Sequence, residues 1–205
     1  MRVKICGITN IEDARLCQSY GADALGFIFH RKSPRYISIR RAAAISAELS
    51  VFISKVGVFV NESPDFINEA VKKAGLTAVQ LHGDEPAEII ARIDRPVIKA
   101  FRIKSAFDFS QLLLFEKAAI LLDSYSDQVY GGSGSAFNWD LVPAPLRSRI
   151  ILAGGISSEN IEKIYMEIKP AGVDLSSSLE SSPGRKDPKK VKAFFSTLQR
   201  LTKLS

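Results

Sequence analysis

The chain of 205 residues is poor in the side chains that most often build redox and metal centres. It has two cysteines, Cys6 and Cys17, and two histidines, His30 and His82. The cysteines do not form a C-x-x-C pair and the histidines lie far apart, so neither a disulfide framework nor a metal-ligand cluster is indicated. We therefore predict free thiols in a reducing compartment, and no structural or catalytic metal.

Long apolar segments and nucleotide-binding glycine motifs are also absent. No uninterrupted apolar run approaches the roughly 18 residues of a membrane span, and the first predicted strand follows Met1 without a charged and then apolar leader. No G-x-G-x-x-G follows that strand, and G-x-x-x-x-G-K-[ST] occurs nowhere. We therefore expect a soluble, cytoplasmic protein without a membrane partner, and a nucleotide-binding doubly wound sheet is disfavoured.

The formal net charge of +6 favours an anionic partner, which includes nucleic acid as an alternative. The basic residues are scattered along the chain. Their denser groups, at 31–41 and 185–190, lack the run of interleaved aromatic side chains typical of single-strand binders. The charge pattern therefore predicts a small anion as the partner and no nucleic acid.

Eight apolar, β-branched runs recur along the chain and alternate with helical patterns. Runs without strict polar alternation are typical of a parallel sheet that is buried on both faces. Eight strand-helix units of about 25 residues fit a single-domain (β/α)8 TIM barrel of the α/β class over residues 1–205, with an open doubly wound sheet as the alternative. The predicted strands are Val3–Ile8, Ala24–Phe29, Lys55–Val60, Ala78–His82, Val97–Phe101, Ala118–Asp123, Ile150–Ala153 and Gly172–Leu175.

Helix start signals follow several of these strands. Residues 9–12 have capping-box spacing with Thr9 as the cap, and the pairs at 63–64 and 187–188 place a cap residue before a first-turn proline. The sixth unit is the weakest, since a glycine-rich loop precedes a short predicted helix from Asn138 to about Val142, which Pro143 and Pro145 should end.

The last two strands predict a phosphate site. Residues 150–156 are I-I-L-A-G-G-I and residues 171–180 are A-G-V-D-L-S-S-S-L-E, so each apolar strand ends in small residues before a predicted helix. Backbone N–H groups and the positive end of a helix dipole bind phosphate at such positions, although ordinary turn chemistry uses the same residues. The predicted phosphate ligands are Gly154, Gly155, Ser176, Ser177 and Ser178.

Motifs at the strand ends, in order from Met1 to about Lys190, resemble those of the phosphoribosylanthranilate isomerase family. The opening K-I-C-G-I-T at 4–9 and the V-Q-L-H-G at 79–83 are the most specific of them. The others are Gly26-Phe27 with Ser33-Pro34-Arg35, Leu122-Asp123 with Gly131-Gly132-Ser133-Gly134 and Phe137-Asn138-Trp139, Leu152-Ala153-Gly154-Gly155-Ile156, and Val173-Asp174-Leu175-Ser176-Ser177.

The resemblance implies a cofactor-free Amadori rearrangement in tryptophan biosynthesis. Its substrate is a small phosphorylated aminosugar, N-(5-phosphoribosyl)anthranilate, and the protein is expected to be a monomer or a homodimer. Asp123 would be the general acid that opens the sugar ring, and Cys6 the general base that takes the proton from C2. The related aminosugar phosphate of histidine synthesis stays open as a second substrate.

Both catalytic roles place physical demands on the site. A carboxylic acid is ionised at neutral pH unless desolvation or a nearby negative charge keeps it protonated, and a free thiol is only a few per cent thiolate. We expect the helix that follows Cys6 to favour its thiolate, and the two groups to titrate as a coupled pair. The alternatives are that Cys6 is a small buried apolar residue and that Asp123 caps the following loop.

The resemblance and the strand ends also predict substrate-binding residues. Arg35 offers a planar fork for the anthranilate carboxylate, unless it belongs to a solvated basic turn. Gln80 and His82 lie on one face of the fourth strand, where His82 binds the sugar or only makes a hydrogen bond at the strand end. Gly7, at the end of the first strand, and Asp174 complete the predicted set.

One residue departs from the family pattern. Where the family commonly has S-S-G, this chain has Ser176-Ser177-Ser178, so a side chain replaces a glycine near the predicted phosphate. If the position needs a positive φ, the serine is strained and phosphate affinity is affected. The glycine-rich stretch at 131–134 is interpreted as a cover over the site, or else as a surface loop.

Two other function classes stay open. A phosphosugar lyase or epimerase would favour inward lysine and glutamate pairs or metal ligands at the strand ends. The candidate that we find for such a lysine is Lys99, in the middle of a predicted strand. An idle phosphate-binding scaffold or a basic RNA-binding barrel is the non-enzymatic alternative.

Overall fold

A computed structural model describes residues 1–103, 107–124 and 139–203 of the chain. Eight strands pair in parallel, each with the next, and the last pairs with the first to close a barrel. They are β1 Arg2–Cys6, β2 Ala24–Ile28, β3 Ser54–Phe59, β4 Ala78–Leu81, β5 Val97–Ile103, β6 Ala119–Ser124, β7 Ile150–Ala153 and β8 Gly172–Leu175. The predicted (β/α)8 TIM barrel is therefore confirmed.

The strands are buried on both faces, and each face meets a different part of the structure. On β1, Val3 and Ile5 belong to the main cluster that packs the barrel against its helices. Ala100, Leu121 and Ala153 form a smaller cluster from β5, β6 and β7. Leu121 lies two residues before Asp123 and so shares its face, which places this cluster at the floor of the barrel mouth.

The helices of the first half begin largely as their sequences predict. They are α1 Ile11–Tyr20, α2 Ile39–Ala47 and α3 Pro64–Ala74. Ser63 caps α3 and accepts a hydrogen bond from the Phe66 N–H, with Pro64 in the first turn. The predicted cap of α1 was wrong by one residue: Asn10 accepts from the Asp13 N–H, and the Thr9 hydroxyl instead donates to the Gly184 carbonyl at 2.6 Å.

The second half uses shorter helical turns between its strands. After β4, β5 and β6 come 3₁₀ helices at Ala87–Arg92, Phe109–Phe115 and Trp139–Leu141, and then α4 at Ala144–Arg147. Pro143 does end the predicted short helix, but it also begins α4. Pro145 lies in the first turn of α4, where no amide donor is needed, and so does not end a helix as predicted.

The last quarter of the chain adds short helices, a hairpin and a long helix to the barrel. After β7 comes α5 at Ile161–Lys163, which continues as a π-helix at Ile164–Ile168. After β8, a 3₁₀ turn at Ser177–Leu179 leads into the antiparallel pair β9 Glu180–Ser182 and β10 Arg185–Lys186, and α6 Pro188–Lys203 follows. No helix in the described parts of the chain is long and apolar enough to cross a membrane.

Candidate active site

A pocket opens at the carboxyl ends of the barrel strands and collects nearly all the predicted site residues. Its lining includes Cys6, Arg35, Gln80, His82, Asp123, Gly154, Gly155, Asp174, Ser176, Ser177 and Ser178, with apolar side chains such as Ile28, Val58 and Ile156 between them. In a parallel barrel all eight strands end on one side, so residues remote in sequence meet there. The glycine-rich stretch 131–134 lies outside the described residues.

Gly7 is the predicted site residue that does not line this pocket. It follows β1 with a φ of +79°, and a Cβ built on it would lie 2.6 Å from Cδ of Arg35 and 3.1 Å from Oγ of Ser176. Its role in the structure is to let the backbone turn and to leave room for the Arg35 side chain.

Cys6 ends β1 as a buried free cysteine, 7% exposed, and lines the pocket. Burial raises the pKa of its thiol, and the negative charge of Asp174 raises it further, whereas Lys4 and Lys186 lower it. The pKa of the Cys6 thiol is raised overall, whereas we expected the following helix to favour the thiolate; burial is the largest cause of the difference.

Lys4 was missed by the sequence analysis. It lies two residues before Cys6 on β1, and alternation along a strand puts both side chains on the inner face of the barrel. Its buried ammonium donates to Asp174 Oδ2 at 2.7 Å, and the pKa of Lys4 is raised although burial opposes its charge, because Asp174 and Cys6 stabilise the ammonium. Two-residue alternation along the fourth strand paired Gln80 with His82. The same rule applied to β1 pairs Lys4 with Cys6 and would have found Lys4.

Asp123, at the end of β6, lies next to His82 in the pocket. The carboxylate oxygen Oδ2 lies 3.3 Å from His82 Nε2, and both side chains are largely buried. On the other side of the ring, Gln80 Nε2 lies 2.8 Å from His82 Nδ1. With the amide in this orientation Gln80 Nε2 donates to Nδ1, and the other ring nitrogen, Nε2, faces Asp123. The three side chains thus form a polar row along one wall.

Three buried polar atoms of the pocket have no hydrogen-bond partner among the described residues. They are Gln80 Oε1, His82 Nε2 and Asp174 Oδ1, and all three side chains line the pocket. His82 Nε2 lies 3.3 Å from Asp123 Oδ2 but does not form a hydrogen bond with it. Unpaired polar atoms are costly in a protein interior, so this concentration indicates a place for a polar ligand.

Arg35 is not part of a solvated basic turn. It is 8% exposed, and its guanidinium holds Glu180 from two nitrogens, with Nε to Oε1 at 2.9 Å and Nη2 to Oε2 at 2.7 Å. Lys186 on β10 completes this buried group, donating to Glu180 Oε1 at 2.9 Å and to the main-chain carbonyl of Cys6 at 2.7 Å. Glu180 and Lys186 were not predicted, because β9 and β10 form a hairpin that the helical pattern did not suggest.

The predicted phosphate residues lie together on one side of the pocket. Gly154 and Gly155 both have positive φ, of +83° and +67°, directly after β7. Asn160 orders this turn by donating to the Gly155 carbonyl at 2.7 Å and accepting from the Ser157 N–H at 2.9 Å. Glycines are needed here because L side chains disfavour two successive residues of that conformation.

The serine run follows β8 in a single 3₁₀ turn rather than at the start of a long helix. Ser176 Oγ donates to the Cys6 carbonyl at 3.3 Å, which ties this turn to β1. Among the described residues, the non-glycine positions with positive φ are Asn61 and Lys169, so Ser178 is not in the left-handed region. The serine in place of the family glycine is therefore unstrained in its backbone.

Another buried lysine-carboxylate pair lies outside the pocket. Lys99 donates to Glu85 Oε2 at 2.7 Å and to the Gly83 carbonyl at 2.7 Å, and it lies beside the rings of Phe101 and Phe115. It holds the turn after β4 and is not a lining residue, so it does not supply the inward lysine of a lyase or epimerase. The described residues also contain no group of three or more metal-ligating side chains.

Comparison with known proteins assigns the chain to a family. A family model described as N-(5'phosphoribosyl)anthranilate (PRA) isomerase matches residues 3–197. The N-(5'-phosphoribosyl)anthranilate isomerase of Geobacter sulfurreducens is 47% identical over 195 residues, which are 95% of this chain and 96% of the relative.

Solved structures of that family superpose on the whole barrel. The crystal structure of phosphoribosyl anthranilate isomerase from Thermus thermophilus has a TM-score of 0.90 and 38% identity, covering 98% of this chain and 100% of that one. A family member in complex with reduced 1-(o-carboxyphenylamino)-1-deoxyribulose 5-phosphate has a TM-score of 0.87 and 41% identity, covering 98% and 99%. With matching sequence over nearly its full length and the same fold, the chain belongs to the N-(5'-phosphoribosyl)anthranilate isomerase family of enzymes.

Proposed function

We propose that the protein converts N-(5'-phosphoribosyl)anthranilate into 1-(2-carboxyphenylamino)-1-deoxyribulose 5-phosphate in tryptophan biosynthesis, with Asp123 as general acid and Cys6 as general base. The observation that supports the proposal most strongly is that the Cys6 thiol and the Asp123 carboxyl line one pocket with the glycine pair and the serine run. A solved family member also binds the reduced form of this product.

The reaction needs two proton carriers and causes no net change of composition. Protonated Asp123 donates to the ring oxygen of the sugar, the C1–O bond breaks, and the anthranilate nitrogen, which keeps its hydrogen, forms a C1=N iminium. The Cys6 thiolate then removes the proton from C2, and the electron pair moves through the new C1=C2 bond to neutralise nitrogen, which gives an enolamine. Return of a proton to C1 from the Cys6 thiol and loss of the enol proton to Asp123 give the ketone and restore both groups. His82 Nε2 lies 3.3 Å from Asp123 Oδ2, so the proposed acid has a polar side chain beside it.

The substrate has a charged group at each end, and the pocket has matching groups. We propose that the anthranilate carboxylate binds the guanidinium of Arg35, and that the phosphate binds the backbone and hydroxyl donors of residues 154–155 and 176–178. The unpaired atoms Asp174 Oδ1 and Gln80 Oε1 accept hydrogen bonds from the sugar hydroxyls. The ends of the substrate would thus be held while the reacting carbons lie between Cys6 and Asp123.

Turnover of freshly prepared substrate, followed by the loss of anthranilate fluorescence, tests this proposal. Cys6→Ser and Asp123→Asn should each lower kcat by about 10²- to 10⁴-fold, the usual worth of a positioned proton carrier, with little change in KM. Cys17→Ser is the matched control, since Cys17 is a buried free cysteine that does not line the pocket. Wild-type turnover in either of the first two variants would refute the assigned role.

A further inference from the structure

The inner face of β1 carries a buried cation, Lys4, next to the Cys6 sulfur, and the reaction described above does not use it. Lys4 is 5% exposed, its ammonium donates to Asp174, and the charge of Cys6 also stabilises it. Its bond to Asp174 Oδ2 measures 2.7 Å, and Asp174 retains a second oxygen, Oδ1, without a partner among the described residues. A lysine buried only for packing would need one counter-ion, whereas this one lies between a carboxylate and a thiol.

The neighbouring strand is shaped around this pair. Gly26 on β2 is paired in register with Cys6, and a Cβ built on it would lie 2.8 Å from Cys6 Sγ and 3.2 Å from Lys4 Nζ. The φ of Gly26 is not in the left-handed region, so its backbone conformation does not call for glycine. The absent side chain instead provides the volume in which the sulfur and the ammonium lie together.

We propose that Lys4 is the positioning residue that stabilises the Cys6 thiolate against the cost of its burial. When the thiol gives its proton to solvent in the pocket, the Lys4 ammonium balances the new negative charge on the sulfur, and Asp174 keeps the lysine charged. The inference rests on the proposed role of Cys6 as the base, and it assigns Lys4 no contact with substrate.

The charged groups around Cys6 make opposite contributions. Lys4 faces it from β1, Asp174 from β8 and Lys186 from β10, while Asp123 and His82 act on Asp174. Burial raises the pKa of the thiol, Lys4 and Lys186 lower it, and Asp174 raises it. Removing Lys4 and removing the Asp174 charge should therefore move the Cys6 pKa in different directions, which loosened packing would not do.

The pH dependence of Cys6 alkylation by iodoacetamide measures this pKa directly, with peptide mass spectrometry to assign the label. Cys17 does not interfere, because it is fully buried and burial raises its pKa to about 12. Lys4→Met should raise the Cys6 pKa by about one unit or more, which lowers the alkylation rate at pH 7 about 10-fold. Asp174→Asn should not raise it.

An unchanged profile in Lys4→Met, or a rise in both single variants, would overturn the inference. If Lys4→Met fails to fold because Asp174 is left unpaired, the double variant Lys4→Met with Asp174→Asn replaces it and is compared with Asp174→Asn alone. The profile does not depend on turnover. An active Cys6→Ser variant would thus refute the proposed function, whereas an unshifted profile with an inactive Cys6→Ser would refute only the role of Lys4.

Discussion

Arg35 and Glu180 form a two-pronged ion pair across 145 positions of sequence, with Arg35 Nη2 2.7 Å from Glu180 Oε2 and both side chains buried. Lys186 shares the same carboxylate and also binds the carbonyl of Cys6. The pair therefore joins the loop after β2, the end of β1 and the last hairpin. A residue proposed to bind substrate is held by a carboxylate that lies outside the pocket lining.

Removal of the Glu180 charge should cost stability in a pH-dependent way. Burial opposes its ionisation, but hydrogen bonds from Arg35 and the charge of Lys186 outweigh it, so the pKa of Glu180 is lowered. The unfolded chain then binds the proton more readily than the folded protein. The stabilisation is complete above the unfolded value of about 4.3 and is lost as the pH falls through the lower folded value.

Urea unfolding of Glu180→Gln should give a free energy of unfolding about 3–5 kcal/mol below wild type at pH 7, the usual effect of breaking a buried ion pair. The difference should shrink below about pH 4. Glu162→Gln is the control, since its partner Arg200 lies 3.5 Å away and both side chains are more than half exposed, which makes a loss under about 1 kcal/mol the expectation. Equal losses in the two variants would contradict the assignment.

Arg35→Lys should separate binding from chemistry. Lysine keeps the charge but loses the planar fork, so it cannot hold Glu180 and a substrate carboxylate with the same geometry. We expect KM to rise about 10-fold or more with kcat changed far less, since a hydrogen bond to a charged group contributes about 1.5–3 kcal/mol. Arg31→Lys, on the exposed part of the same loop, should leave both constants unchanged. An unaltered KM in Arg35→Lys would rule out the carboxylate contact.

Gly7→Ala should weaken substrate binding as well as strain the backbone. Its φ is +79° and a new Cβ would lie 2.6 Å from Arg35 Cδ, so the variant should lose about 1–3 kcal/mol of stability and raise KM. Gly75→Ala is the control for backbone strain without a steric clash, because Gly75 has a φ of +61° and nothing lies within 4 Å of its added Cβ. Thermal unfolding and steady-state kinetics on both variants test this. A normal KM in Gly7→Ala would show that Arg35 is not displaced.

Ser178→Gly restores the residue that the family commonly has, yet it should not stabilise this protein. Ser178 is not in the left-handed region, so there is no strain to relieve, and glycine increases the entropy of the unfolded chain. We expect the free energy of unfolding to fall by about 0.5–1 kcal/mol. A gain in stability would contradict the backbone conformation described here, whatever the effect on phosphate binding.

The barrel and most of the site follow from local sequence patterns. Continuous apolar runs define the strands, whose observed bounds lie within two residues of the predicted ones, and the Ser63-Pro64 pair marks the start of α3. The shift of the α1 cap from Thr9 to Asn10 shows the limit of such signals. Both residues can cap a helix, and the Thr9 hydroxyl bonds Gly184, which no local pattern reveals.

The chain alone determined which side chains end each strand, because two-residue alternation and the common direction of parallel strands place those ends on one side of a closed barrel. Only the tertiary structure decided the charge environment of Cys6 and the burial of Arg35. Lys4, Asp174, Glu180 and Lys186 come from opposite ends of the chain and meet through barrel closure and the β9–β10 hairpin. Electrostatic energy depends on distance and burial in space, so no spacing along the sequence encodes it.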